Sequence, residues 1–167
     1  MQASPTVDPA NSTPEQAGFL ARFITRDRVE VGVHVSSKKR LLEEVADLLT
    51  MHSDKLDRDT VFQVLNERER LGSTGVGEGF ALPHGRVNGI EDPIICAMSL
   101  SQPLDFDAID DKPIQVVIGL LVPADANKTH LQILAKLAGA FRDEVIRESL
   151  IGCESQDELL SLVQRLD

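Results

Sequence analysis

Residues 114–122 read IQVVIGLLV and are apolar apart from Gln115. A short apolar run rich in β-branched residues is typical of a strand at the centre of a sheet that is covered on both faces. Further strands are predicted at 94–100 and at 28–35, where valines occupy alternate positions. These three segments predict that the chain is built around one sheet.

Helices are predicted around these strands. Each has apolar residues at helical spacing, and most begin at a Ser or Asp side chain suited to capping a helix N-terminus. The predicted starts are Ser36 or Ser37, Asp57 or Asp59, about Lys128, about Asp143, and Ser155. Leu71 and Leu131 are assigned to the apolar stripes of the second and third helices. The pattern predicts an α/β domain with one central sheet and helices on its faces.

Length and composition favour a single domain preceded by a tail. The chain has 167 residues, of which 42% are hydrophobic, enough for a core. Residues 1–18 are rich in Pro, Ser, Thr and Asn without apolar periodicity, so we predict a disordered tail and one domain over 19–167.

The net charge of −10 excludes several classes of partner. An acidic chain repels nucleic-acid phosphates and anionic lipid, and the absence of Trp and Tyr disfavours base stacking. No apolar run approaches the roughly 18 residues of a membrane span. Cys96 and Cys153 form no Cys-x-x-Cys pair, and no secretory signal is evident, so we expect reduced thiols and a cytoplasmic location.

The glycine-rich stretch 72–79 does not fit a nucleotide-binding loop. Gly72 and Gly77 have Walker A spacing, but Glu78 stands where the phosphate-binding lysine belongs. Phe80 occupies the place of the third glycine in the dinucleotide fingerprint. The stretch is instead interpreted as a flexible turn whose backbone amides can cradle an anion.

His84 lies between Pro83 and Gly85. Proline contributes no N–H and glycine no side chain, so the imidazole is predicted to be accessible. A histidine titrates near neutrality and can act as a covalent nucleophile. Taken alone, however, the tripeptide fits an ordinary surface histidine better.

His130 and Arg68 are further candidates. His130 falls in the first turn of a predicted helix, where the amides attract anions and disfavour a charged imidazole. A histidine at the edge of the core is the alternative, since Leu134 and Leu137 share its face. Arg68 interrupts the apolar stripe of its helix, which predicts a guanidinium emerging near the glycines, suited to a phosphate. A structural ion pair is the alternative for Arg68.

Two charged runs are assigned to the surface. Residues 38–40, Lys-Lys-Arg, form either a partner-binding spot or, as we favour, a solvated helix face. The acidic residues in 105–111 favour a polar hairpin loop over a metal site because their spacing is not that of an EF-hand. The four histidines show no His-x-x-x-His pattern, so neither a metal nor a cofactor is expected.

Several motifs together resemble the fructose/mannitol-type IIA proteins of the bacterial phosphoenolpyruvate-dependent sugar phosphotransferase system. They are RERLGSTGVG at 68–77, ALPHGR at 81–86, FDAID at 106–110, LVPA at 121–124 and THL at 129–131. These motifs occur in the same order as in the family, and the resemblance extends from about residue 20 to the C-terminus. Within this family, VHVSSKKR at 33–40 is similar to the nitrogen-regulatory branch.

The resemblance implies a three-layer sandwich with a mixed sheet between helical layers. It also implies that His84 accepts a phosphoryl group on Nε2 from an HPr-like histidine phosphocarrier, beside His130 and Arg68. His130 would hydrogen-bond the phosphate without being phosphorylated. Ser73, Thr74 and Gly85 are predicted to contact the phosphate or a partner.

The sequence leaves four functional hypotheses open. The leading one is a phosphoryl carrier whose phosphorylation state controls regulatory targets such as ion-transport or sensor proteins, and the lack of an attached IIB or IIC domain suits it. The nearest alternative is a IIA component that passes phosphate to a sugar-specific IIB protein. A binding module without phosphotransfer and a metal hydrolase are more distant alternatives.

Overall fold

Six strands form one mixed sheet in the computed structural model, which describes residues 18–166. They are β1 (Ile24–Val33), β2 (Gly75–Gly77), β3 (Phe80–Ala81), β4 (His84–Val87), β5 (Ile94–Leu104) and β6 (Ile114–Pro123). The order is β1-β5-β6-β3-β2, and β4 also pairs with β6. β5 and β6 are antiparallel, whereas β1 pairs in parallel with β5, and β3 and β4 pair in parallel with β6.

In the described part of the chain, five α-helices follow a 3-10 turn at Leu20–Phe23. They are α1 (Lys38–Leu49), α2 (Arg58–Arg70), α3 (Asn127–Ala140), α4 (Glu144–Ile151) and α5 (Gln156–Gln164). The side chains of Ser37, Asp57, Asp143 and Ser155 each accept a hydrogen bond from an amide of the first turn. The predicted caps at Asp57 and Ser155 are therefore confirmed, and the four caps fix where these helices begin.

β6 divides the core into two buried clusters. Ile118, Leu120 and Val122 belong to the cluster that includes residues of α3, α4 and α5. Val117 and Leu121 belong to the cluster that includes residues of α1 and α2. Because successive side chains of a strand point to opposite faces, the apolar run 114–122 holds helices on both sides. The predicted three-layer α/β sandwich is confirmed.

The strand beside β6 is interrupted at Leu82 and Pro83. β3 pairs with the first half of β6 and β4 with the second half, while Leu120 N–H donates to Pro83 O across the gap at 3.0 Å. The predicted strands do not include these residues. Strands of two and four residues are too short to show a periodicity, so β3 and β4 were missed.

Two leucines assigned to buried faces are exposed. Leu71 is 84% exposed and Leu131 is 65% exposed. α3 instead buries Ile133 and Leu137, which places Leu131 on its outer side. Leu71 is the residue that ends α2, beyond the part of that helix that covers the sheet.

The remaining expectations concern the chain ends, the thiols and the membrane. The predicted disordered tail, apart from Gly18, lies outside the described residues. Cys96 and Cys153 are both free and buried. Between residues 18 and 166, none of the helices has the length and apolar character that crossing a membrane requires.

Candidate functional site

A cleft of about 760 Å³ brings the three predicted site residues together. His84 is the first residue of β4, Arg68 lies in the last turn of α2, and His130 lies in the first turn of α3. The complete lining is Val64, Glu67, Arg68, Arg70, Leu71, His84, Gly85, Arg86 and His130. Residues that are 62 positions apart in sequence thus share one surface, because α2, β4 and α3 meet there.

Gly85 allows α2 to lie directly against β4. A Cβ atom added at this position would overlap Cγ1 of Val64 on α2. No other residue type lacks the Cβ atom, so glycine is needed for this close approach. The contact sets the distance between the helix that carries Arg68 and the strand that carries His84.

A backbone hydrogen bond fixes the His84 ring. Its Nδ1 lies 2.6 Å from the carbonyl oxygen of Leu82. A carbonyl oxygen can only accept, so in the neutral ring Nδ1 carries the proton and Nε2 keeps the lone pair. The ring is therefore held in the tautomer that makes Nε2 the nucleophilic atom.

The surroundings of His84 favour its neutral form. Burial lowers its pKa from the ordinary value of 6.5, and the positive charge of Arg68 adds to this effect. The hydrogen bond to Leu82 and the charge of Glu69 act in the opposite direction without reversing the shift. At neutral pH the ring is uncharged, as nucleophilic attack requires.

His130 faces His84 across the cleft. The two ring centroids are 5.4 Å apart, with the planes inclined by 46°. His130 is only 8% exposed, and its buried Nδ1 has no hydrogen-bond partner among residues 18–166. Burial is the main cause of its lowered pKa, and His84, Arg86 and Arg68 lower the pKa further. A neutral His130 can donate from Nε2 while Nδ1 remains an unprotonated acceptor.

Arg68 and two further arginines make the cleft locally basic. The Nη1 of Arg68 donates to Gly72 O at 3.0 Å, which confirms that this guanidinium lies beside the glycine-rich stretch. Arg70 and Arg86 also line the cleft, against a single carboxylate from Glu67. In a chain with a net charge of −10, this concentration of positive charge favours an anion.

Sequence reasoning missed Arg86 and Glu69. Arg86 lies two positions after His84 on β4 and so points to the same side of the sheet, but the sequence of this short strand does not reveal the alternation. Helical spacing places Glu69 off the apolar stripe of α2, which is typical of an exposed charge. It is in fact buried, and it pairs with Lys38 from another helix at 2.8 Å. No local pattern reveals a pair formed between two separate helices.

Ser73 and Thr74 are not among the residues that line the cleft. Ser73 Oγ donates to Phe106 O at 2.8 Å, and the hydroxyl of Thr74 donates to Glu69. Gly85 does line the cleft. A direct contact of Ser73 or Thr74 with a phosphate or a partner stays a prediction.

The two charged runs have structural roles. Lys38 contacts Glu69 and Asp107, so this lysine is not part of a wholly solvated face. Asp110 accepts hydrogen bonds from the backbone N–H groups of Glu78 and Lys112, as a polar hairpin loop does. Across the described part of the chain, no three His, Cys, Asp or Glu side chains are grouped to hold a metal ion.

The geometry suits transfer of a phosphoryl group. A neutral imidazole offers the Nε2 lone pair, while Arg68 and the N-terminus of α3 can stabilise negative charge on phosphoryl oxygens. In such a reaction the protein mainly positions the reacting groups and neutralises charge.

Comparisons with known proteins lead to the same chemistry. The family model for "Phosphoenolpyruvate-dependent sugar phosphotransferase system, EIIA 2" matches residues 22–166. The "Nitrogen regulatory protein" of Pseudomonas aeruginosa is 38% identical over 144 residues, which are 86% of this chain and 94% of that protein. The "PTS system fructose-specific EIIA component" of Haloferax volcanii is 35% identical over 133 residues, 77% of this chain and 86% of that protein.

A solved structure extends the agreement to the fold. The nitrogen regulatory protein IIA-Ntr of Neisseria meningitidis superposes with a TM-score of 0.81 at 40% sequence identity, covering 86% of this chain and 97% of that chain. The sheet, the helical layers and the sequence thus agree with one family. This chain belongs to the EIIA 2 family of the phosphoenolpyruvate-dependent sugar phosphotransferase system.

Proposed function

We propose that this protein accepts a phosphoryl group on Nε2 of His84 from an HPr-like phosphocarrier and regulates partner proteins according to its phosphorylation state, in the cytoplasm. Membership of the family makes the chain a phosphoryl-carrier component. The observation that carries the choice of His84 is its Nδ1 contact with Leu82 O, which leaves Nε2 as the free nucleophile in a basic cleft.

The proposed step moves one phosphoryl group between two histidines. The lone pair of His84 Nε2 attacks phosphorus, the P–N bond of the donor phosphohistidine breaks, and its electron pair returns to the donor nitrogen. The proton on His84 Nδ1 stays on the hydrogen bond to Leu82 O. No nucleotide or metal takes part, because the donor already carries an activated phosphoryl group.

His130 and Arg68 would hold the transferred group. His130 Nε2–H donates to a phosphoryl oxygen, and the Arg68 guanidinium neutralises charge on the oxygens as it grows. Gly85 lines the cleft, and its missing side chain leaves room for Val64 of α2. Both imidazoles are neutral at neutral pH, so each can act without first losing a proton.

The regulatory role is supported by the relatives named as nitrogen regulatory proteins, at 38% and 40% identity. A role in sugar uptake is the second candidate, because the fructose-specific relative is 35% identical. The two differ in the fate of the phosphoryl group. Efficient transfer from the phosphorylated protein to a sugar-specific IIB protein would contradict the regulatory role and support the second.

The carrier role is tested with phosphoenolpyruvate, enzyme I and the HPr-like carrier. We expect one acid-labile, base-stable phosphate per chain, and none on the variant His84→Ala. The matched control is His34→Ala, since His34 is exposed just after β1 and outside the cleft. Labelling that persists in His84→Ala, or a wild-type protein that takes no phosphate, would overturn the proposal.

A further inference from the structure

A line of hydrogen bonds connects the first residue of α1 to the His84 ring. It begins at Lys38, whose Nζ lies 2.8 Å from Oε1 of Glu69. It continues from Glu69 to Thr74, from Thr74 to Leu82, and from Leu82 to His84. Of these residues only His84 lines the cleft.

Glu69 is the buried centre of this line. Its side chain is 5% exposed, and its carboxylate accepts hydrogen bonds from Lys38, from the backbone N–H of Thr74 and from the hydroxyl of Thr74. Burial alone raises the pKa of Glu69, but the bonds from Lys38 and Thr74 outweigh burial and hold the pKa below its ordinary value. A carboxylate with this many partners stays ionised and stays in place.

Thr74 connects Glu69 to Leu82, whose carbonyl oxygen binds the His84 ring. The carbonyl oxygen of Thr74 accepts a hydrogen bond from Leu82 N–H at 2.8 Å. The next residue, Pro83, has a restricted φ and accepts from Leu120 N–H at 3.0 Å. Leu82 is therefore held by Thr74 on one side and through β6 on the other, and its own carbonyl contacts His84 Nδ1.

We propose that Glu69 is a positioning residue for phosphoryl transfer at His84, acting through Thr74 and the Leu82 carbonyl. This inference rests on the proposed function of His84. Glu69 directly follows Arg68 on α2, so the same helix end places a cation in the cleft and anchors the backbone that orients the nucleophile. Lys38 supplies the charge that makes the buried carboxylate favourable.

The test compares variants of Glu69 and Thr74. Glu69→Gln removes the charge, and Thr74→Val removes only the hydroxyl donor and keeps the backbone bonds. Thr74→Ser keeps a hydroxyl and serves as the conservative rescue. Glu91→Gln is the matched control, because Glu91 is an exposed glutamate in the connection between β4 and β5. Thermal unfolding first establishes which variants are folded.

Two readouts separate positioning from general stability. Imidazole ¹⁵N NMR reports which nitrogen of His84 carries the proton, and steady-state phosphorylation by the HPr-like carrier reports kcat and KM. We expect Glu69→Gln and Thr74→Val to populate both tautomers of His84 and to reduce kcat about 10- to 100-fold with KM nearly unchanged. Thr74→Ser should restore most of both properties, and Glu91→Gln should match the wild type.

The outcomes test the positioning role of Glu69 separately from the proposed phosphorylation of His84. A folded Glu69→Gln protein with only the Nδ1–H tautomer and an unchanged kcat would overturn it. If Glu69→Gln does not fold, the His84 tautomer and kcat of Thr74→Val are compared with those of Thr74→Ser. Equal values in these two variants would then overturn the inference. A wild-type protein that accepts no phosphate refutes the proposed function, whereas the tautomer of His84 still shows whether Glu69 orients this ring.

Discussion

The partner that orients His84 is a carbonyl oxygen, not a carboxylate. A carboxylate next to Nδ1 would favour the imidazolium strongly and raise the pKa of the ring. The Leu82 carbonyl fixes the tautomer while burial and Arg68 keep the pKa below its ordinary value. This residue therefore combines a defined proton position with a neutral ring, and both are needed for attack by Nε2.

We predict that Arg68→Gln raises the pKa of His84. Arg68 is one of the groups that lower this pKa, because a nearby positive charge disfavours the imidazolium. Titration of the His84 ring by NMR should place the wild-type midpoint below 6.5 and the variant midpoint above that of the wild type. Loss of the guanidinium should also slow phosphorylation, by about 10- to 100-fold.

Arg70→Gln is the control for this titration. Arg70 lies on the same helix and lines the same cleft, but it is not among the groups that shift the pKa of His84. A wild-type midpoint at or above 6.5 would contradict the expected environment. Equal effects of the two arginine variants would show that the cleft acts through its total charge and not through Arg68.

The contact between α2 and β4 sets the width of the cleft. We predict that Gly85→Ala destabilises the protein by about 1–3 kcal/mol, because the new methyl group overlaps Val64 and forces the helix and the strand apart. The free energy of unfolding from urea titration gives the size of the effect. Adding Val64→Ala makes room for the methyl group and should recover part of the lost stability.

Gly139→Ala is the matched control for that substitution. A Cβ atom at Gly139 in α3 meets nothing within 4 Å, so this change should stabilise the helix by up to about 1 kcal/mol. If Gly85→Ala were as stable as Gly139→Ala, the close packing of α2 on β4 would not be what requires glycine.

Elements with strong local signals could be predicted from the sequence. The caps at Ser37, Asp57 and Ser155 and the apolar run of β6 mark their elements within a few residues. β3 and β4 could not, since their pairing with β6 involves residues more than 30 positions away. The strand that carries His84 is therefore defined by tertiary pairing and not by its own sequence.

The grouping of His84, His130 and Arg68 in one cleft could be predicted from the sequence, but the residues that support them could not. The local setting of each of these residues also fits an ordinary structural role, and it was the family resemblance that implied their grouping. Glu69 looks like a surface charge on its helix, and its burial depends on Lys38 from α1. The exposure of Leu71 depends on where α2 ends, and that of Leu131 depends on which face of α3 is buried.

Several groups across the whole molecule have lowered pKa values, and each of them makes the folded protein less stable at low pH. Burial lowers the pKa of His84 and of His130 below 6.5 in the folded state. Hydrogen bonds hold the pKa of Glu69 and of Asp110 below their ordinary values of 4.5 and 3.8. In every case the unfolded chain binds protons more readily than the folded protein, so acidification favours unfolding.

The histidines and the carboxylates change the free energy of unfolding over different pH ranges. The stabilisation linked to the two histidines is fully present above 6.5 and is lost as the pH falls through their lower folded values. The part linked to the carboxylates is lost only at a pH below about 4.5. We therefore predict that the free energy of unfolding already decreases between about pH 7.5 and pH 5.5.

Urea unfolding of the wild type and of the double variant His84→Gln/His130→Gln measures the share of the two histidines. The variant removes both titrating rings, so its stability should decrease less than that of the wild type over this pH range. Between about pH 7.5 and pH 8.5 both rings are already neutral, and the difference between the two proteins should stay constant. Parallel curves over the whole range would contradict the prediction, because they would mean that the cleft does not disfavour charged imidazoles.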